Sequence, residues 1–150
     1  MLPTMPLILV GADTPTGEAI LAELGAGERE IRVFVTDEAR GLELRERGLK
    51  VATGDVSDEG HVEAAALRCF SAVLITEAAH DSRERAFAAT ADDVLKGWAR
   101  AVAGSKVRRV IWVTSEDHPE TSVPEVVAVD PSDQGFAEKI VALDDAHSIS

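Results

Sequence analysis

The sequence predicts an α/β fold of three layers, doubly wound, around a mostly parallel sheet of five to six strands. Three observations lead there. Short apolar or β-branched runs alternate with amphipathic stretches along the chain. Those stretches are long enough to cross back over a sheet, as parallel neighbours require. The runs Leu7–Val10 and Ala72–Thr76 hold no charged residue, as expected of strands covered on both faces.

In chain order, Leu7–Val10 is the first strand. Gly11–Gly17 is a tight turn, and Glu18–Leu24 a helix with Ile20, Leu21 and Leu24 on one side. Gly25-Ala26-Gly27 closes it as a C-terminal cap would. Ile31–Val35 is the second strand, with Asp37 just beyond its end. A helix over Glu38–Arg47 turns Leu42 and Leu44 inward and stops at Gly48. Leu49–Thr53 is the third strand, and Glu59–Cys69 a helix with Val62, Ala65, Ala66 and Cys69 on one face, capped by Ser57 or Asp58.

Ala72–Thr76 is the fourth strand. A long helix over Ser82–Ala103 carries Phe87, Ala91, Val94, Leu95, Trp98 and Val102 as an apolar stripe. Val107–Thr114 is the fifth strand. Two prolines and polar residues make 116–125 a loop, expected to be mobile. A sixth strand reads from Glu125 to Val129. The last helix, Ser132–Ala146, faces Phe136, Ile140 and Leu143 inward, and 147–150 is a tail expected to fray. No repeat or low-complexity tract interrupts the pattern, so 1–150 is one domain.

A chain of 150 residues buries about 68–70% of its unfolded surface. The formal net charge of −12 repels phosphate-rich surfaces, so neither nucleic acid nor an anionic membrane is an expected partner. Cys69 stands alone, which excludes a disulfide framework and a cysteine-based metal site. The start, MLPTMPLILV, has no basic n-region and no long apolar run, so cytoplasmic localisation is expected. His61, His80, His118 and His147 show no metal-ligand spacing and read as surface residues. Ser115 to His118 contain the letters of a hydrolytic triad, but adjacent residues cannot converge as a triad must.

In a doubly wound sheet, ligands bind beyond the carboxyl ends of the strands, where the winding reverses. The Gly11–Gly17 turn, Asp37, Asp55, Thr76 and Ser115 all fall at such ends. A helix beginning within that turn presents free N–H groups and a positive dipole end to a phosphate. Asp37 lies about twenty residues beyond Gly17, where a dinucleotide fold places an acid on the adenosine ribose. The same residue can equally cap the helix after it. Asp55 and Val56 sit where they could edge an adenine ring, or form an ordinary turn and cap. Thr76 and Glu77 follow the fourth strand, where a nicotinamide ribose would pass.

These segments resemble a known family. GADTPTGEAI at 11–20 is similar to the GATGxxGxxI turn of the short-chain dehydrogenase/reductase superfamily, in its atypical, NmrA-like branch. GLKVATGDVSD at 48–58 resembles that group's third strand and its GD(L/V)xD element. DVLKGWARAVAGSKVRRVIWVTS at 93–115 resembles its fourth helix and VxRVVYVSS strand. The resemblance spans roughly residues 5–115 and implies a Rossmann-like fold. It also implies an NAD(P) cofactor held by Gly11, Ala12, Asp13, Thr14, Pro15, Thr16, Gly17, Asp37, Asp55, Val56, Thr76 and Glu77. An acid at position 37 favours NAD over NADP, because a 2′-phosphate would be repelled; Arg40 nearby softens that preference.

Two departures bear on activity. Thr14 stands where the family has its middle glycine, and its hydroxyl either contacts phosphate or caps the helix, with Pro15 at the first helical position. The family's reductive members use a tyrosine whose pKa a nearby lysine lowers. This chain has no tyrosine, and the residue at the family's spacing before Lys139 is Gly135. No catalytic residue is assigned, and a cofactor-binding sensor or accessory protein is expected. The alternative is a scaffold without nucleotide, acting through a homodimer if Trp98 or Phe87 is exposed on the long helix.

Overall fold

The computed structural model describes residues 6–25 and 30–145. Six strands form one parallel sheet in the order β3-β2-β1-β4-β5-β6. They are β1 (Leu7–Val10), β2 (Ile31–Val35), β3 (Lys50–Thr53), β4 (Ser71–Ile75), β5 (Arg109–Val113) and β6 (Glu125–Val129). The helices are α1 (Pro15–Leu24), α2 (Glu38–Glu46), α3 (Glu59–Ala66), α4 (Glu77–His80), α5 (Ala91–Gly104) and α6 (Phe136–Asp145). All six expected strands are present, each within two residues of its expected ends.

Alternation along β1 divides the core in two. Leu7 and Leu9 face a layer with Ile20, Leu21 and Leu24 of α1, Leu44 of α2 and Ile140 of α6. Ile8 and Val10 face the opposite layer, with Val62 and Ala66 of α3 and Val94, Trp98 and Val102 of α5. The chain therefore winds outward from β1 along one face to β3, then returns along the other face to β4 and β5. The reversal lies between β1 and β4, which opens a crevice above their C-terminal ends.

The connection from β5 to β6 has no helix. His118 stacks on Trp112 with ring centroids 5.4 Å apart, and the Trp112 indole Nε1–H donates to Thr121 Oγ1 at 3.0 Å. The loop expected to be mobile is thus pinned over the sheet, and Glu125 already belongs to β6. Beside it, fully buried Arg109 pairs with Glu125 at 2.7 Å and donates to the Leu143 carbonyl near the C-terminal end of α6. Its guanidinium also lies over the Phe70 ring, 5.3 Å from the centroid. Paired in this way, a charge can remain inside the core.

Three expectations about helices need correction. Residues 82–90 are not helical, because Thr90 is extended and its side chain accepts from Asp93 N–H, which starts α5 at Ala91. Phe87 consequently lies outside the helix and is 67% exposed. Leu42 is 59% exposed, since α2 packs through Gly41 and Leu44 instead. The third and last helices are shorter than expected, α3 ending at Ala66 and α6 starting at Phe136. The expected fraying at 147–150 lies outside the described residues.

Trp98 is 0% exposed, and its indole N–H donates to the Val56 carbonyl at 2.8 Å. A dimer built on an exposed Trp98 loses its premise. Burial pushes the Cys69 thiol up to about 11, which keeps it protonated. No described helix is long and apolar enough to cross a membrane.

Candidate functional site

The turn after β1 is shaped by two glycines. Gly11 has φ +91°, and a Cβ there would meet Ala78 Cβ at 2.7 Å and the Ile75 carbonyl at 3.1 Å. A Cβ on Gly17 would lie 2.6 Å from the Ala12 carbonyl oxygen. Glycine at 11 therefore lets α4 approach the turn, and glycine at 17 lets α1 fold back over it.

Thr14 is the N-cap of α1, extended at φ −124° and ψ 160°. A β-branched residue adopts that conformation without strain. Its hydroxyl accepts from Gly17 N–H at 3.0 Å and donates to the Gly11 carbonyl at 2.7 Å. Of the two roles open to this hydroxyl, the structure displays capping. Pro15 occupies the first helical turn, where no N–H is needed. Ala12 is fully buried.

The next N–H of the helix has an anionic partner. Thr16 N–H donates to Glu77 Oε1 at 3.2 Å, so a carboxylate from the chain itself sits at the α1 N-terminus. This one N–H therefore already receives an anion, of the charge a phosphate oxygen would bring, while Gly17 N–H is taken by Thr14. Thr76 turns away from that point. Its hydroxyl donates to the Val113 carbonyl at 2.9 Å and ties β4 to β5.

Asp13 organises the end of β2. Its Oδ2 accepts from Thr36 N–H at 2.9 Å and Asp37 N–H at 3.1 Å. Its Oδ1 pairs with Arg83 at 2.9 Å. Arg83 also donates to Thr36 Oγ1 at 3.2 Å and pairs with Asp81 at 2.6 Å. Burial opposes ionisation of Asp13, but the hydrogen bonds from Arg83, Thr36 and Asp37 outweigh it and hold the carboxyl below its ordinary value.

Because this pKa is lower in the folded chain, Asp13 contributes stability above the unfolded value of about 3.9. That contribution is lost as pH falls from there through the depressed folded value. Acid denaturation of the native chain against Asp13→Asn, followed by circular dichroism, should show it. The variant is expected to be less stable at neutral pH and to lose less stability over this acid range. Parallel curves would refute this role.

Asp37 is the N-cap of α2, its Oδ1 accepting from Ala39 N–H at 2.9 Å and from Arg40 N–H at 3.4 Å. The capping role is the one displayed here too. Asp55 accepts from Ser57 N–H at 2.8 Å, Ser57 Oγ at 2.6 Å and Ala86 N–H at 2.7 Å. Burial works against its charge, but these bonds and the nearby Arg85 keep its pKa low. Val56 is buried, its carbonyl taken by Trp98.

A cleft of about 420 Å³ opens beside these residues, above the ends of β4 and β5. Thr16, Glu77, His80, Thr114, Ser115 and Glu116 line it. Ser115 is thus brought to the mouth of the same crevice. His61 and His118 are engaged in ring contacts with Phe34 and Trp112. No cluster of metal-ligating side chains occurs among the described residues.

The structure thus draws 11–17, Asp37, Asp55, Thr76 and Glu77 to one edge of the sheet. Sequence reasoning missed Arg83 and the N–H groups of Ala86 and Phe87, and took Ser57 only as a candidate cap of α3, a place that Asp58 fills. Arg83 lay inside an expected helix, and no local signal distinguishes an arginine that reaches another strand's end.

The NAD(P)H-binding family matches residues 11–144. No curated protein matches the chain. Among solved structures, the anaerobilin reductase ChuY of Escherichia coli O157:H7 is similar, at 23% identity and TM-score 0.57, over 73% of this chain and 50% of that one. A triphenylmethane reductase of Citrobacter sp., complexed with NADP(H), aligns at 14% identity and TM-score 0.60, over 72% and 36%. A short-chain dehydrogenase/reductase of Veillonella parvula, in complex with NADP, aligns at 15% identity and TM-score 0.57, over 73% and 46%. The chain thus spans half or less of the length of each of these structures. These likenesses establish the shared fold. The match over residues 11–144 makes the chain a member of the NAD(P)H-binding family, with a Rossmann-like fold.

Proposed function

We propose that the protein binds a nicotinamide dinucleotide across the C-terminal ends of β3, β2, β1 and β4 and works as a cofactor-binding sensor or accessory protein. The observation that carries this reading is the carboxylate on Thr16 N–H, which marks the α1 N-terminus as a built anion position. Gly11, Ala12, Asp13, Thr14, Pro15, Thr16 and Gly17 frame the pyrophosphate. Asp37 accepts from the adenosine ribose, Asp55 and Val56 edge the adenine, and Thr76 lies under the nicotinamide ribose, where Glu77 joins it once its carboxylate leaves Thr16 N–H. When bound, the cofactor would supply a hydride donor or acceptor. The chain offers no tyrosine to deliver the accompanying proton, which supports sensing over tyrosine-dependent reduction.

NAD(H) is the favoured form. Asp13 and Asp37 place two carboxylates at the end of β2, and Arg83 is already paired with Asp13 and Asp81. A 2′-phosphate there would face net negative charge. Calorimetric titration of NADH and NADPH into the full chain should give binding to both, with NADH the tighter. Tighter NADPH binding would reverse the preference. No binding at millimolar cofactor, in the native chain or in the variants described below, would reject the dinucleotide reading itself.

A further inference from the structure

The segment from Glu77 to Phe87 runs across the sheet ends in the order of the proposed cofactor positions. At its start, Glu77 holds Thr16 N–H at the α1 N-terminus. Further on, Arg83 reaches Asp13 and Thr36 at the end of β2. Beyond that, Ala86 N–H donates to Asp55 at 2.7 Å and Phe87 N–H donates to Ser57 Oγ at 3.0 Å, both beyond β3. One stretch of chain thus engages the pyrophosphate, ribose and adenine positions together.

We propose that Glu77–Phe87 is an internal occupant of the dinucleotide track, with the Glu77 carboxylate in the place of the pyrophosphate, and that cofactor binds only as the Glu77 side chain swings off Thr16 and the stretch from Asp81 to Phe87 lifts. The inference rests on the dinucleotide reading above. Glu77 is then the residue that sets the site's affinity. Thr16 has a single N–H, and a phosphate that takes it must displace a carboxylate of like charge. Asp55 likewise cannot turn toward an adenine edge while Ala86 N–H holds the same oxygen.

The segment is built to release. Ala78 and Ala79 of α4 are buried and stay in the core, but from Asp81 to Phe87 the attachments are hydrogen bonds and one ion-pair cluster, and Phe87 is already exposed, so lifting that stretch uncovers little apolar surface. Arg85 Nη1 donates to the Ala79 carbonyl at 2.7 Å, which anchors the near end to α4. Lifting would therefore hinge between α4 and Thr90, the cap of α5.

The test compares NADH binding by calorimetry in the native chain, Glu77→Gln and Ala86→Pro, each checked for native circular dichroism. Glu77→Gln removes the charge at the phosphate position, and Ala86→Pro removes the N–H held by Asp55. Each is expected to bind about 3- to 30-fold tighter than the native chain. A second readout is tryptic cleavage after Arg83 and Arg85, which saturating NADH should accelerate in the native chain. Equal or weaker binding by both variants while the native chain binds, or cleavage slowed by NADH, overturns the internal occupant and leaves the dinucleotide reading standing. Failure of all three proteins to bind removes both.

Discussion

Trp98→Ala is expected to lower stability by about 3–5 kcal/mol, the largest loss foreseen for a single substitution in this chain. Three effects add. The side chain is fully buried in the layer beneath α3 and α5, so its removal forfeits transfer energy and leaves a cavity. It also strips the Val56 carbonyl of its donor in a buried place. The change should lower Tm by about 10 °C in a chain of this size, and a shifted urea midpoint measures it directly. Because Val56 lies beside Asp55, NADH affinity should fall as well. Trp98→Phe keeps most of the volume and loses only the hydrogen bond, so it should restore most of the stability. A loss under 1 kcal/mol for the alanine variant would mean that α5 does not pack as described.

Gly17→Ala is the second. One methyl group would meet the Ala12 carbonyl oxygen at 2.6 Å and its Cα at 2.7 Å. These are backbone atoms of the turn that carries the site, so no side chain can swing away to relieve the contact. The expected loss is about 2–3 kcal/mol, at the upper end of small-to-large changes, read from urea unfolding. Any relief must move α1 outward, which carries Thr16 N–H off the phosphate position. Stability and NADH affinity should therefore fall together, whereas Gly48→Ala, in open space at φ +91°, should disturb stability alone. Native affinity in Gly17→Ala would separate the turn's packing from its ligand role.

The fold was legible in the sequence because its strands are buried on both faces and its helices end in recognisable caps. Apolar runs such as Leu7–Val10 carry their own assignment, and the order of strands and helices leaves few topologies. Where reading failed, the deciding interaction was distant. The stripe running back from Trp98 through Ala91 to Phe87 keeps helical spacing, yet Thr90 caps α5 and the residues before it are held by Asp13, Asp55 and Ser57. Leu42 has the spacing of a core residue on α2, but the α2 face turned to β3 is set by Gly41 approaching Thr53. Arg109 opens the otherwise apolar strand β5, and its partners Glu125 and Leu143 come from β6 and α6.

The site was legible as a set of positions and not as a set of bonds. Spacing brought Asp37 and Asp55 to the sheet edge, while their present hydrogen-bond partners depend on the chain's path after β4. Thr14 shows the same division: with Pro15 after it, capping was one of two roles open to its hydroxyl, and only the structure shows both hydroxyl bonds made within the turn.

Every ladder in the sheet is parallel, and the central strand β1 aligns Leu7 with Ile31 on one side and with Ser71 on the other. No hairpin can therefore start the sheet. A nascent β1 has only the β2 side available until the chain has been made through β4, and its other edge must wait for a long loop to close. Refolding from denaturant should accordingly be slow beside a helical bundle of similar length, with the edges that β1 and β4 share the last to gain amide protection.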